Sequence, residues 1–84
     1  MTLNPRAMAM ALGLLVGGMM LVVGLANLAM PGYGQAFLDV LASIYPGYNA
    51  GGTLVDVIVG TLYGLVDWAI AGWLLAWLYN RFAA

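Results

Sequence analysis

The chain has 84 residues, 65% of them hydrophobic and 6% charged, with a net charge of −1 and a mean hydropathy of +1.02. Soluble domains run near a quarter charged, so this composition excludes an ordinary water-facing surface and makes lipid the expected solvent. Cys, His, Lys and Glu are absent, which excludes disulfides, thiolate metal sites, histidine ligation and the commonest general base. With no basic patch for nucleic acid, the expectation is a non-enzymatic protein with no catalytic residue, no metal and no cofactor, whose partners are membrane lipids and other membrane chains.

Asn4-Pro5 reads as a helix start, with Asn4 at the cap and Pro5 in the first turn. The run over 7–30 then carries no charge and is long enough to span a hydrocarbon core about 30 Å thick, which takes roughly 20 residues. Helices are the expected spanning form, because unpaired backbone groups are prohibitive in hydrocarbon. The run is too long for a typical signal core and no small-x-small site follows it, so it is expected to be retained.

Pro31-Gly32-Tyr33 stops this run, and Pro46-Gly47-Tyr48 repeats the triplet farther on. Between them, Phe37, Val40, Leu41, Ile44 and Tyr45 recur at helical spacing opposite Asp39 and Ser43. The spacing predicts a short amphipathic helix over 34–45, either lying at the membrane interface or packed against the ends of the neighbouring spans. Tyr33, Tyr45 and Tyr48 suit the headgroup region as anchors.

Gly51-Gly52-Thr53 precedes a second apolar run over 54–79, interrupted by Asp56 and Asp67. Thr53 is a suitable cap, and Asp56 three residues later makes an analogue of the capping box at the positive end of the helix dipole. Trp73, Trp77 and Tyr79 approach the far end and read as an aromatic anchor, whereas Trp68 is too deep for that role. The predicted fold is an all-α membrane protein over residues 1–84, a two-helix transmembrane hairpin with one short interfacial helix. Arg6 before the first span and Arg81 after the second, with no cation in between, put both termini in the cytoplasm and the connection outside.

Small residues let membrane helices approach closely. Gly13, Gly17 and Gly24 form one stripe, and Gly60, Gly64, Asp67 and Ala71 share a face on the second span. Gly18, Gly72 and Ala76 fall off these stripes and offer a second close surface, so association with further chains is expected, as a homo-oligomer or within a larger membrane complex. Asp67 lies near the middle of its span, where an ionised carboxylate costs roughly 2.5–3.5 kcal/mol by insertion scales. No Lys or Arg of this chain reaches that depth, and the facing positions, about Gly17 and Gly18, offer no side-chain donor. Three roles stay open for it: a polar clamp between helices, a group serving conduction or protonation, or a salt bridge to another chain. Asn27, at the depth of Asp56, is a lesser clamp.

The stretch Ser43-Ile44-Tyr45-Pro46-Gly47-Tyr48, then Gly60-Thr61-Leu62-Tyr63-Gly64-Leu65-Val66-Asp67 through Ala76-Trp77-Leu78-Tyr79-Asn80, resembles a group of small bacterial two-span proteins. These are labelled bacteriophage holin, superfamily II-like. The opening Leu3-Asn4 to Ala11-Leu12-Gly13 is also similar, so the resemblance covers most of the chain. It implies a protein of the bacterial inner membrane that oligomerises into pores, although only Arg81 stands where many holins carry a charged tail. A purely architectural likeness joins the chain to the rotor-ring proteolipids of ATP synthases, hairpins with a glycine-rich first helix and a mid-span carboxylate at the depth of Asp67. Their short polar loop is replaced here by a long amphipathic connection. The alternatives are therefore an accessory subunit of a larger complex and, more remotely, a proton-carrying ring subunit using Asp67.

Overall fold

The computed structural model describes residues 2–83, and its regular structure is helical throughout: α1 (Pro5–Ala29), α2 (Gln35–Ala42) and α3 (Leu54–Ala83). α1 and α3 are both long and apolar enough to cross a membrane.

Local chemistry sets each boundary. The Asn4 side chain accepts from the Arg6 and Ala7 amides at 3.0 and 3.2 Å, so α1 starts at Pro5, two residues before the charge-free run. It closes at Ala29 because Met30 takes an extended conformation ahead of Pro31. α2 is shorter than its apolar periodicity. Gly34 enters it with φ +63°, and after Ala42 the chain tightens into a turn in which the Ile44 and Tyr45 amides both donate to the Leu41 carbonyl. That turn releases Tyr45 from the α2 spacing. At the start of α3, the Thr53 hydroxyl accepts from the Asp56 amide at 3.2 Å and donates to the Asp56 carboxylate at 2.8 Å. α3 runs past Tyr79 to Ala83 because helix formation does not require apolar side chains, and its last polar residues have a partner. Asn80 accepts from the Leu3 amide and donates to the Leu3 carbonyl, both at 2.7 Å, fastening the two chain ends together.

α1 and α3 lie side by side and antiparallel along a glycine-rich seam. A Cβ added at Gly24 would meet Val57 at 2.9 Å, one at Gly17 would meet Leu65 at 2.6 Å, and one at Gly13 would meet the Leu65 carbonyl at 2.9 Å. At the seam's middle a Cβ on Gly64 would lie 3.5 Å from the Gly17 Cα, so here backbone packs nearly on backbone. Gly72 faces the Met8 carbonyl and Ala76 is wholly buried. These two were expected to form a second, outward surface; they belong instead to the same seam. The contact line drifts along α3 by slightly more than one helical turn's spacing at each step, so at its far end it has rotated from Ala71 onto Gly72 and Ala76. Gly18 alone of that trio stays outside, with open space around it.

Candidate functional site

The polar chemistry of the chain gathers where the connection meets α3. Asp67 stands 13 residues beyond Leu54, about 20 Å along the helix at about 1.5 Å per residue. Its side chain is exposed, off the glycine seam rather than in it. The partner that no position of α1 could supply comes from the connection: the Tyr45 hydroxyl donates to Asp67 Oδ2 at 2.8 Å. Tyr45 stacks on Tyr63, the rings parallel and their centroids 4.8 Å apart, and the Tyr63 hydroxyl donates to the Pro46 carbonyl. Tyr63 and Asp67, one turn apart on α3, thus hold the chain at Tyr45-Pro46 by two hydrogen bonds and one aromatic face.

Tyr45 and Tyr48 were expected as headgroup anchors. They are instead 6% and 5% exposed, forming with Met20 the hydrophobic core that Val16, Leu41, Val59 and Tyr63 surround. The reason is space. A Cβ at Gly60 would lie 2.7 Å from the Tyr48 ring, so the missing side chain is the seat of that ring. Gly60 therefore serves the connection as much as it serves α1. Tyr33, in the other Pro-Gly-Tyr triplet, is 51% exposed. Burial, reinforced by the bond to Asp67, pushes the Tyr45 hydroxyl up to about 12, so it remains a donor at neutral pH. Burial also raises Tyr48, with smaller contributions from Asp56 and Asp39.

A second polar knot holds the neck of the connection. Asn27, buried near the end of α1, donates to the Tyr33 carbonyl at 2.8 Å and to Gln35 Oε1 at 3.1 Å. Gln35 in turn donates to Asp39 and to the Ala50 carbonyl, each at 2.9 Å. The clamp expected of Asn27 thus acts on the connection, binding its entry and its exit to α1. Asp56 is occupied with Thr53 at the start of α3.

The structure buries Gly13, Gly17, Gly24, Gly60 and Gly64 and leaves Ala71 half-buried. Trp73, Trp77 and Tyr79 are exposed toward the terminal end of the pair, and the Arg81 guanidinium sits 5.8 Å from the Trp77 ring centre. Beside Tyr63, Val59, Leu62 and Val66 line an open apolar groove of about 320 Å³. Among the described residues no group of three His, Cys, Asp or Glu side chains assembles that could hold a metal ion.

The Tyr45–Asp67–Tyr63 arrangement escaped the sequence reading. The available signal was the i, i+4 pair Tyr63 and Asp67, two polar tips on one flank of an apolar helix with nothing polar on α1 to meet them. The chain matches no family model, no curated protein and no solved structure.

Proposed function

We propose that the protein is a small, non-enzymatic protein of the bacterial inner membrane that inserts as a two-span hairpin and assembles with its own copies, in the manner of the holin-like proteins its sequence resembles. α1 and α3 are the spans, Arg6 and Arg81 hold both termini in the cytoplasm, and the connection lies toward the outside. Lipid tails cover the exposed Leu14, Leu15, Val22 and Leu25 on α1.

The observation that carries this reading is Asp67. A carboxylate halfway along an apolar span, on its exposed flank and bonded through one oxygen to Tyr45, is costly against lipid tails and tolerable against water or a polar neighbour. Self-association that brings this flank toward the middle of an assembly supplies either one. Native mass spectrometry of the protein gently extracted from its host membrane, paired with dye leakage from reconstituted vesicles, tests the proposal. A ladder of identical 8.8 kDa chains, with leakage lost in Asp67→Asn, supports it. A strict monomer without leakage at any density refutes it.

A second reading, an accessory subunit seated in a larger membrane complex, is favoured by a different observation. The glycine seam is consumed inside the chain, leaving Gly18 as the one open helical glycine among the described residues. Co-migration with much larger subunits would decide for that reading.

A further inference from the structure

Tyr45 can reach Asp67 only if the connection turns inward along α3. Tyr63, bonded to the Pro46 carbonyl, lies 9 residues beyond Leu54, about 14 Å along the helix at about 1.5 Å per residue. Tyr48 sits over Gly60, and the neck of the loop is tied at Asn27 and Ala50. α2 therefore descends from the neck, the chain turns at Tyr45–Tyr48, and residues 49–53 climb back to the start of α3. The overall dimensions agree: at 48 × 20 × 18 Å the molecule is only slightly longer than α3 alone, about 45 Å at about 1.5 Å per residue, so the connection adds little length.

This inward fold exposes irregular backbone where an apolar solvent is expected. Gly24 packs on Val57 and Met20 beside Gly60, which sets Val22 of α1 at the height of the connection. Val22 there is 67% exposed, and Leu21, Leu25, Ile58 and Leu62 near that height are exposed too. On the membrane reading, hydrocarbon is the solvent that covers these flanks. On the connection flank, Ser43, Pro46, Gly47 and Asn49 are exposed, and the Gly47 and Asn49 amides donate to no described residue. Irregular backbone at membrane depth persists only where protein buries it or water reaches it.

Resting on the membrane reading above, we infer that the connection is re-entrant and lines a water-filled cleft, open on the side away from the termini, whose floor is the Tyr45–Asp67 pair. Water is the occupant at the turn because the groups exposed there are polar: the Gly47 and Asn49 amides, the Asn49 side chain and the outward carboxylate of Asp67. The Ser43 hydroxyl instead donates to the Val40 carbonyl at 2.6 Å, and the exposed Val40 and Ile44 of the same segment stay with lipid. The flanking groove of Val59, Leu62 and Val66 is apolar and stays with lipid or a neighbouring helix.

The chain contains no cysteine, so single thiols report without a background. Ser43→Cys and Asn49→Cys on the connection, and Val22→Cys and Leu62→Cys on the lipid flanks, are reconstituted in vesicles and treated with a membrane-impermeant cationic methanethiosulfonate. The two connection thiols are expected to react as a loop thiol does. The two flank thiols are expected to react on the order of 100-fold more slowly, since hydrocarbon excludes both the charged reagent and the thiolate. Silence at all four positions means the connection is covered by lipid or a second chain and overturns the cleft while sparing the membrane reading. Reaction at all four overturns both. Amide exchange of the unsubstituted protein in lipid discs gives an independent check. Gly47 and Asn49 must exchange rapidly while the α3 amides near Gly60 stay protected, and slow exchange at Gly47 and Asn49 overturns the cleft.

Discussion

Removing the Tyr45 hydroxyl and removing the Tyr45 ring should have very different effects, because different forces hold this residue. Tyr45→Phe deletes one hydrogen bond to Asp67 and keeps both the burial and the stack on Tyr63. Such bonds between membrane segments average about 0.6 kcal/mol and reach at most about 1.7. Tyr45→Ala deletes a ring that is 94% buried, packed on Tyr63 and within the core around Met20, a change of the kind that costs about 3–5 kcal/mol in a well-packed site. Packing should therefore win. The Phe variant keeps the connection docked with a loss near 1 kcal/mol, and the Ala variant releases it. Reversible unfolding in mixed micelles measures the losses, and amide exchange at Tyr48 and Asn49 reports docking directly. Combining Tyr45→Phe with Asp67→Asn should show a coupling of about 0.5–2 kcal/mol, since the two groups share one bond. Equal losses for Phe and Ala, or strict additivity with Asp67→Asn, would refute the inward fold of the connection.

The remaining predictions concern the seam, the neck and pH. Gly72→Leu should destabilise the helix pair by about 1–3 kcal/mol, at the upper end because the obstacle is the Met8 carbonyl rather than a movable side chain, whereas Gly18→Leu should stay within about 0.5 kcal/mol in the isolated chain. The two variants compared in one micellar unfolding series check the assignment of the seam. Asn27→Leu strands the Tyr33 carbonyl and one side of Gln35 and should cost about 1–3 kcal/mol, read as lost exchange protection across α2. The Tyr45 hydroxyl rises from 10 to about 12 in the folded chain, so its contribution is fully present below pH 10 and is lost as pH climbs from 10 through 12. The connection should loosen in that window by tyrosinate absorbance and exchange, and the Tyr45→Phe variant should lack that step.

The two long helices were legible because each is an apolar run bounded by its own punctuation, Asn4-Pro5 and Pro31 for one, Thr53 with Asp56 for the other. Their ends were less so. α3 outruns its hydrophobicity since Asn80 is positioned by a bond to Leu3, a partner 77 residues away that no local window contains. Identical triplets also met opposite fates. Pro31-Gly32-Tyr33 leaves its tyrosine outside, and Pro46-Gly47-Tyr48 buries its own, because only the second faces the empty space over Gly60. Nothing in a Pro-Gly-Tyr sequence carries that difference; it depends on which residue of another helix lies beneath. The central Asp was legible as a costly group, and its partner was not, since Tyr45 fits the periodicity of a surface helix as well as it fits a site.

The same packing bears on how the chain would associate. Two GxxxG-like stripes in so small a protein suggest spare surface for close helix contact, yet the antiparallel pair uses both of them, and Gly72 and Ala76 besides. A partner approaching from outside meets large side chains on most of the circumference, exposed small residues at Ala7, Ala11 and Gly18 on one flank of α1, and a polar group at the Tyr45–Asp67 flank of α3. Close backbone packing on the α1 flank is a weak basis for assembly, because the exposed Leu14 and Leu15 interrupt the run of small residues between Ala11 and Gly18. A polar flank is different in kind. Against lipid its free energy would be unfavourable, and the water of the cleft or a neighbouring chain that covers it removes part of that cost. If this protein assembles, the drive lies in Asp67 and the connection that leans on it, and the glycines act one step earlier by holding the hairpin that presents them.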